Sequence, residues 1–573
     1  MQTWKINELL AGKTPEQMLD LIKAKVAEFA AYKPKLDSLT TLKDLLLLKE
    51  DIIKLTTQLG AYYGLQEAEN TENTQVLAKI SHLSQIETDL RNEMLFFPIW
   101  FMHLPDEKAE KLIQNTPQYA YYLRTIILRK KHTLNENEEK IISLKSTTDE
   151  AFETLYRLIT TAFRFKFKGK EIIQTELSPY VQSSNPKERE EAYKAILAKY
   201  GENSNVLNEL YKSIVINWRT EAIKIRNYGT SIGVRNLAND IDDKIIGTLL
   251  TTIRKNAGVF QEYFELKHKI NGGKYPNNRY HIYAPYNVKQ KKYDYETSLK
   301  IVLEMYKDFD RCFYDAAKQI IDAQHIHTHP AKNKRGGAFC YGIHNKMTPY
   351  IMLNHTGILR DVFTMAHEFG HGIHDIFSMK QNNLHFRTSL PMAETASTFG
   401  EMMLSNKLLN ETKDKKIRIS ILLSQLDNQF ASITRQAYFV VFEQKAHELI
   451  ANGATKEQLD TCYLELLKEQ FGKMQVADEF KHEWNYIPHI HETPFYCYAY
   501  AWGCLMVLAL YADYEKSGKK FVDKYIQLLS AGGSDSPARI LAKAGFDVTK
   551  QEFWQKGFDV IKEEIEELRK LTS

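Results

Sequence analysis

Thr356-Gly357-Ile358-Leu359-Arg360-Asp361-Val362-Phe363-Thr364-Met365-Ala366-His367-Glu368-Phe369-Gly370-His371-Gly372-Ile373-His374-Asp375-Ile376-Phe377 is the stretch from which the rest of the chain is read. Its pattern predicts a helix from Thr356 to Phe377 that carries two histidines four residues apart, His367 and His371. Such residues lie about 40° apart around a helix and about 6 Å along it, so both imidazoles leave one face and can bite one ion. Zinc accepts these nitrogens at about 2.0–2.1 Å, and a catalytic zinc keeps one position open for water. Glu368, next to His367, can stand beside that open position as a general base for the water the metal activates. This is the division of labour in the HExxH pattern. Gly370 gives up about 1 kcal/mol of helix propensity relative to alanine, which points to another element approaching closely there.

A third ligand is expected on the next helix. Met392-Ala393-Glu394-Thr395-Ala396-Ser397 puts Glu394 twenty-three residues after His371, a separation at which a helix–turn–helix returns to the metal. Two histidines and a glutamate form a catalytic set, whereas structural zinc sites favour cysteine. One Zn2+ per chain is therefore the expected cofactor, held by His367, His371 and Glu394. Glu401 lies two turns beyond Glu394 on the same face, where it can accept the free ring N–H of His367 or His371 and fix the tautomer. Asp375, four residues after His371, competes for that role.

On the N-terminal side, Gly336 to Ile343 and Pro349 to Asn354 read as a hairpin around His344-Asn345-Lys346-Met347. Tyr295 to Gln324 reads as one helix. Arg279 to Tyr286, after the Gly272-Gly273 and Pro276 break, reads as a short strand or extended loop. Earlier still, helices are expected at Thr41–Asn70, at Thr74–Phe97 closed by Pro98, and at Asp106–Gln114, Tyr119–Lys131, Asn137–Phe163 and Lys187–Tyr200. In the first of these Leu45, Leu48, Ile52, Leu55, Leu59 and Tyr62 recur at spacings of three and four. Residues 1–200 thus read as an antiparallel helical array with short connections. Toward the C-terminus a long helix is expected over Lys415–Ala451. With only 26 glycines and 15 prolines, the fold class is mainly α.

Composition narrows the partners. A net charge of +4 on 573 residues gives no basic excess of the kind nucleic acid or a membrane surface requires. The most apolar stretch, Met94 to Leu104, is too short to span a bilayer. Five cysteines without CxxC spacing, and an N-terminus lacking signal-peptide features, lead to the expectation of a soluble cytoplasmic protein with reduced thiols. Nothing in the sequence sets the oligomeric state.

A second cluster runs Ile487-Pro488-His489-Ile490-His491-Glu492-Thr493-Pro494-Phe495-Tyr496-Cys497-Tyr498-Ala499-Tyr500. Thr493 and Pro494 make a good N-cap and first-position pair, so a helix is expected from there, with Tyr496 and Tyr500 on one face and Tyr498 turned away. A phenol or imidazole here can stabilise the oxyanion of a tetrahedral intermediate.

Taken together, these blocks resemble the thimet oligopeptidase (M3) family of metallopeptidases, and within it the oligoendopeptidase F branch. The residues that carry the resemblance are Arg335-Gly336-Gly337-Ala338-Phe339, then Asn354 to Phe363 leading into His367-Glu368-Phe369-Gly370-His371, then Glu394 with Ser397 and Glu401, and finally the His489-to-Tyr500 block. The resemblance implies an elongated, two-lobed helical body with a deep central channel and a small β-sheet near the active site. It also implies an N-terminal helical lobe over 1–200, a catalytic domain over 201–573, and internal cleavage of short unstructured oligopeptides. Family members bind the substrate backbone along an edge strand, which would match Pro349 to Asn354. By the same carry-over Tyr496, Tyr498, Gly336, Gly337, Ala338, Tyr350 and Met352 would touch substrate, and Tyr500, His489 and His491 would serve catalysis beside Glu368. The rival readings are a metallo-exopeptidase that anchors a peptide terminus, a peptide-binding protein that retains zinc, and a helical scaffold with fortuitous histidines.

Overall fold

The computed structural model describes residues 3–36, 39–286, 288 and 292–573, with residues 146–150 described as helix backbone. Helices dominate, and the strands are five short pieces: β1 (Phe165–Phe167), β2 (Lys170–Ile172), β3 (Ile326–His327), β4 (Phe339–Tyr341) and β5 (Tyr350–Met352). The chain folds into two units that interleave in sequence. One comprises residues 1–140, 290–407 and 513–546; the other comprises 141–289, 408–512 and 547–573. The N-terminal array of residues 1–200 is thus shared between them.

In the first unit, helices Pro15–Ala30, Leu39–Glu69 and Thr74–Met94 pack around Ile22, Phe29, Leu45, Phe97 and Phe101. Each such side chain contributes about 1.5–3 kcal/mol by leaving water. The helix Leu39–Glu69 buries Leu45, Leu48, Ile52 and Leu59, as its spacing predicts. Pro98 does not close the preceding helix, which ends at Met94. It lies instead in the first turn of a separate helix, Phe96–Met102, where a missing N–H costs no intrahelical bond. The expected helix over Tyr295–Gln324 is two, Tyr295–Phe309 and Arg311–Asp322. Asp310 is extended between them (φ −164°), and its carboxylate caps the second by accepting the Cys312 N–H at 2.8 Å.

The expected hairpin forms, with β4 antiparallel to β5 in the register Phe339 to Met352 and Tyr341 to Tyr350. A further strand, β3, adds in parallel on the other side of β5, so the order is β3-β5-β4. This corrects the edge-strand expectation: Pro349–Asn354 contains the middle strand, and β4 is the edge. Tyr350 and Met352, expected to touch substrate, are 0% exposed and belong to a core with Trp4, Leu9 and Leu65. The Tyr350 hydroxyl donates to the Lys5 carbonyl at 2.8 Å.

In the second unit, Lys415–Phe430 and Gln436–Ala451 run on through a π-helical turn at Ala431–Arg435, so the long helix of the sequence is present with one irregular turn. Arg279–Tyr286 is not a strand. It starts with a 3-10 turn, Arg279–His281, and the Arg279 guanidinium donates to Glu483 at 2.7 Å with both side chains buried. Satisfying that buried charge outweighs the aromatic alternation that suggested a strand.

Candidate active site

The motif helix is Leu359–Ser378, and Asp361 fixes its start. One Asp361 carboxylate oxygen accepts the backbone N–H groups of Thr356 (2.6 Å), Gly357 (2.8 Å) and Ile358 (3.2 Å), which pins the turn that leads into the helix. Val362, Met365, Phe369, Ile373 and Phe377 form its buried face. His367 and His371 project from the same helix with their Nε2 atoms 3.1 Å apart.

Glu394 is the residue between the short helix Leu390–Ala393 and the return helix Thr395–Glu411. Its Oε2 lies 3.3 Å from His367 Nε2 and 3.4 Å from His371 Nε2. Among the described residues these three form the one group of His, Cys, Asp and Glu side chains arranged to hold a metal ion. Ser397, one turn on, donates to the same Glu394 oxygen at 2.7 Å and limits its rotation. Burial works against the Glu394 charge, but the His371 contact and the two histidines prevail and hold the carboxyl down at about 2.

Of Glu401 and Asp375, Glu401 is the one that reaches a histidine of the group. Its Oε1 lies 2.5 Å from His367 Nδ1, which leaves Nε2 turned toward Glu394. Glu368 is 5% exposed, its Oε2 has no hydrogen-bond partner, and burial raises its carboxyl above the usual range. Asp375 is held up at about 6 by burial, against the charges of His371 and Arg387, and it packs on Gly342 at the end of β4.

Glycine at 370 has the expected cause. A Cβ there would stand 2.5 Å from the Ala396 carbonyl oxygen and 2.6 Å from Ser397 Cα, so the motif and return helices touch backbone to backbone. Gly400 repeats the device against the Ala366 carbonyl, at 3.0 Å from its would-be Cβ. That carbonyl accepts the Tyr306 hydroxyl at 2.7 Å, and Tyr525 donates to the Thr395 carbonyl at 2.9 Å. The contact sets how near Glu394 comes to the histidines.

The second unit carries the other cluster. Helix Pro488–Glu492 is followed by turns, and the next helix starts at Tyr498 and not at Pro494. Phe495 adopts φ +58° with its N–H donated to the buried Glu443 carboxylate at 2.8 Å, and a left-handed residue there interrupts the helix. The turn still gathers three of the expected residues. The His489 ring lies 5.8 Å from Tyr496 and 5.8 Å from Tyr500, the two tyrosine rings are 5.3 Å apart, and the Tyr500 hydroxyl is 3.4 Å from His489 Nε2. His491 and Tyr498 are not in this group. His491 is 1% exposed, stacked 4.2 Å from Tyr156, and burial pulls its imidazole down to about 4. Tyr498 is 0% exposed, and its hydroxyl accepts from Asn239 at 2.6 Å.

Comparison with known proteins adds the family. The profile of peptidase family M3 matches residues 180–560, and that of oligopeptidase F matches residues 100–165. The chain belongs to peptidase family M3. It is 28% identical to an oligoendopeptidase F homolog of Borreliella burgdorferi, covering 99% of this chain and 98% of that protein. With oligopeptidase PepF of Bacillus subtilis the identity is 26%, over 99% and 87% of the two chains. Among solved structures, a putative peptidase from Chlamydophila abortus superposes with a TM-score of 0.85 at 26% identity, covering 99% of this chain and 98% of that one. Oligoendopeptidase-F from Enterococcus faecium shares the fold at a TM-score of 0.73, 20% identity, and coverage of 97% and 99%.

For an M3 chain, three supports of the site escaped sequence reasoning. The Glu394–Ser397 bond had a signal in its i, i+3 spacing. Tyr306 and Tyr525 had none, because each reaches a helix carbonyl from a distant segment. Gly336 and Gly337, expected within the first strand of the hairpin, are exposed and precede β4, with the Gly337 carbonyl accepting from Asn354 at 2.8 Å and Ala338 following.

Proposed function

We propose that this M3 chain is a zinc-dependent endopeptidase acting on short oligopeptides. The observation that carries the reading is the arrangement of His367, His371 and Glu394, whose facing donor atoms are 3.1–3.4 Å apart. Tetrahedral zinc with bonds of about 2.0–2.1 Å needs donors about 3.3 Å apart, so the residues fit the ion. Five cysteines free of disulfides agree with a reducing, cytoplasmic setting. Among the described residues no helix is long and apolar enough to cross a membrane.

Bound zinc would supply Lewis-acid polarisation of the scissile carbonyl. The chain's own residues do the rest. Glu368 accepts the proton of the attacking water at its unpartnered Oε2 and passes it to the leaving amine. Glu401 keeps His367 in the tautomer that turns Nε2 to the ion. The peptide backbone adds along the outer edge of β4. Asp375 of the motif helix packs on Gly342 at the end of β4, so that strand runs beside the helix that carries Glu368. His489, Tyr496 and Tyr500, clustered in the second unit, are the candidates for substrate contact there.

The test is a mass-spectrometric digest of end-blocked peptides of graded length, with and without chelator. Internal cuts that stop above a length limit and disappear with chelator support the proposal. Cleavage confined to peptides with a free terminus would favour the exopeptidase reading instead.

A further inference from the structure

β4 has one side paired and one side open. The Ile351 N–H donates to the His325 carbonyl of the segment entering β3, at 2.8 Å, so the alternation of β5 turns Tyr350 and Met352 toward β4. Phe339 and Tyr341 therefore face β5, and Cys340 turns its N–H and C=O outward. Neither group has a partner among the described residues. Two residues on, the Gly342 carbonyl is occupied: the Arg387 guanidinium donates to it at 3.0 Å. The same guanidinium lies 5.5 Å from the centre of the Tyr341 ring. It thus blocks the open edge of the sheet at one end.

Arg387 is exposed, yet its loop is fixed. The His385 carbonyl accepts the Gly533 N–H at 2.8 Å, the His385 ring accepts the Tyr122 N–H at 3.2 Å, and a Cβ on Gly533 would collide with the Arg387 carbonyl. Among the described residues no carboxylate comes within 4.0 Å of its guanidinium. Asp375, whose charge is felt nearby, is directed at Gly342, where a Cβ would come 2.5 Å from its Oδ2. One N–H of the guanidinium goes to Gly342 and the remaining donors are left for a ligand.

We propose that Arg387 is a specificity-determining residue: a peptide lying along β4 meets its guanidinium with a carboxylate, either an acidic side chain or the peptide's C-terminal carboxylate. The proposal rests on the peptidase reading and on strand addition at β4. A preformed arginine with unused donors at the end of a strand edge selects the residue that arrives there, because a carboxylate can take two of its N–H groups while a cation is repelled.

The experiment compares kcat/KM for a neutral, end-blocked parent peptide with two sets of derivatives. One set moves a single glutamate, or a single lysine, through each position; the other exchanges the C-terminal amide for the free acid. Wild-type protein, Arg387→Gln, Arg387→Glu and Arg387→Lys are assayed. One carboxylate-bearing derivative should be cleaved about tenfold better than the parent by wild type and by Arg387→Lys. That preference should vanish in Arg387→Gln and pass to the lysine derivative at the same position in Arg387→Glu. The glutamate set and the acid–amide set tell the two sources of carboxylate apart. Cleavage of the parent with no carboxylate preference in wild type, or with the same preference in Arg387→Glu, overturns the proposal alone. Failure of wild type to cut any of these peptides overturns the peptidase reading and this proposal with it.

Discussion

Glu368 lies next to His367 without belonging to the His367, His371 and Glu394 group that could hold a metal. Its carboxylate is buried, has an oxygen free of partners, and is raised by that burial. Glu368→Gln should therefore keep its metal and lower kcat by about 10²–10⁴-fold, read by metal analysis alongside a peptide assay. Glu401→Ala should instead weaken metal affinity by about 10–100-fold, read by competition with a chelator, since only the orientation of His367 is lost. At this scale the grouping of His367 and His371 with Glu394 was legible, because a four-residue helical spacing fixes where two side chains point. The place of His491 was not: it sits on the separate helix Pro488–Glu492 and stacks on Tyr156, a distant residue that no local pattern announces, whereas helical spacing did turn Tyr498 away from Tyr496 and Tyr500.

Elements bring the residues together, and two contacts show how. The motif and return helices touch at Gly370, where no side chain fits. Gly370→Ala should cost about 1–3 kcal/mol, visible as a lower Tm, and should reduce metal affinity as Glu394 is pushed away. In the second unit the Gln436–Ala451 helix holds the turn of the tyrosine cluster through Glu443, whose carboxyl burial raises to about 8, opposed in part by its bond from Phe495. A folded-state pKa above the unfolded value of about 4.3 gives stability that is present at low pH and lost as pH rises toward 8. The Tm of Glu443→Gln, relative to wild type, should therefore rise as pH goes from 5 to 9; a constant difference would contradict the assignment. Most helices were legible from their period, but the alternation of Arg279–Tyr286 suggested a strand that does not form, and the break at Asp310 was not read. The order of strands was not, because alternation marks β4 and β5 as strands but carries no sign of β3, a two-residue strand at Ile326–His327.

At the scale of the whole molecule, a mainly α fold could be read from helical spacing and from the scarcity of glycine and proline. Its division into units could not. A chain read from one end suggests a boundary near residue 200, whereas the first unit gathers 1–140, 290–407 and 513–546. Bonds such as Tyr525 to the Thr395 carbonyl and Gly533 to the His385 carbonyl tie those segments, and no local pattern announces them. The candidate metal site lies within this unit, built on residues 367–401 and braced from 306 and 525. Zinc X-ray absorption on the purified chain, with the metal content determined in parallel, decides whether His367, His371 and Glu394 hold zinc. One zinc per chain is expected, with two imidazole nitrogens and carboxylate or water oxygens at about 2.0–2.2 Å. Sulfur at about 2.3 Å, or no stoichiometric zinc, would contradict it.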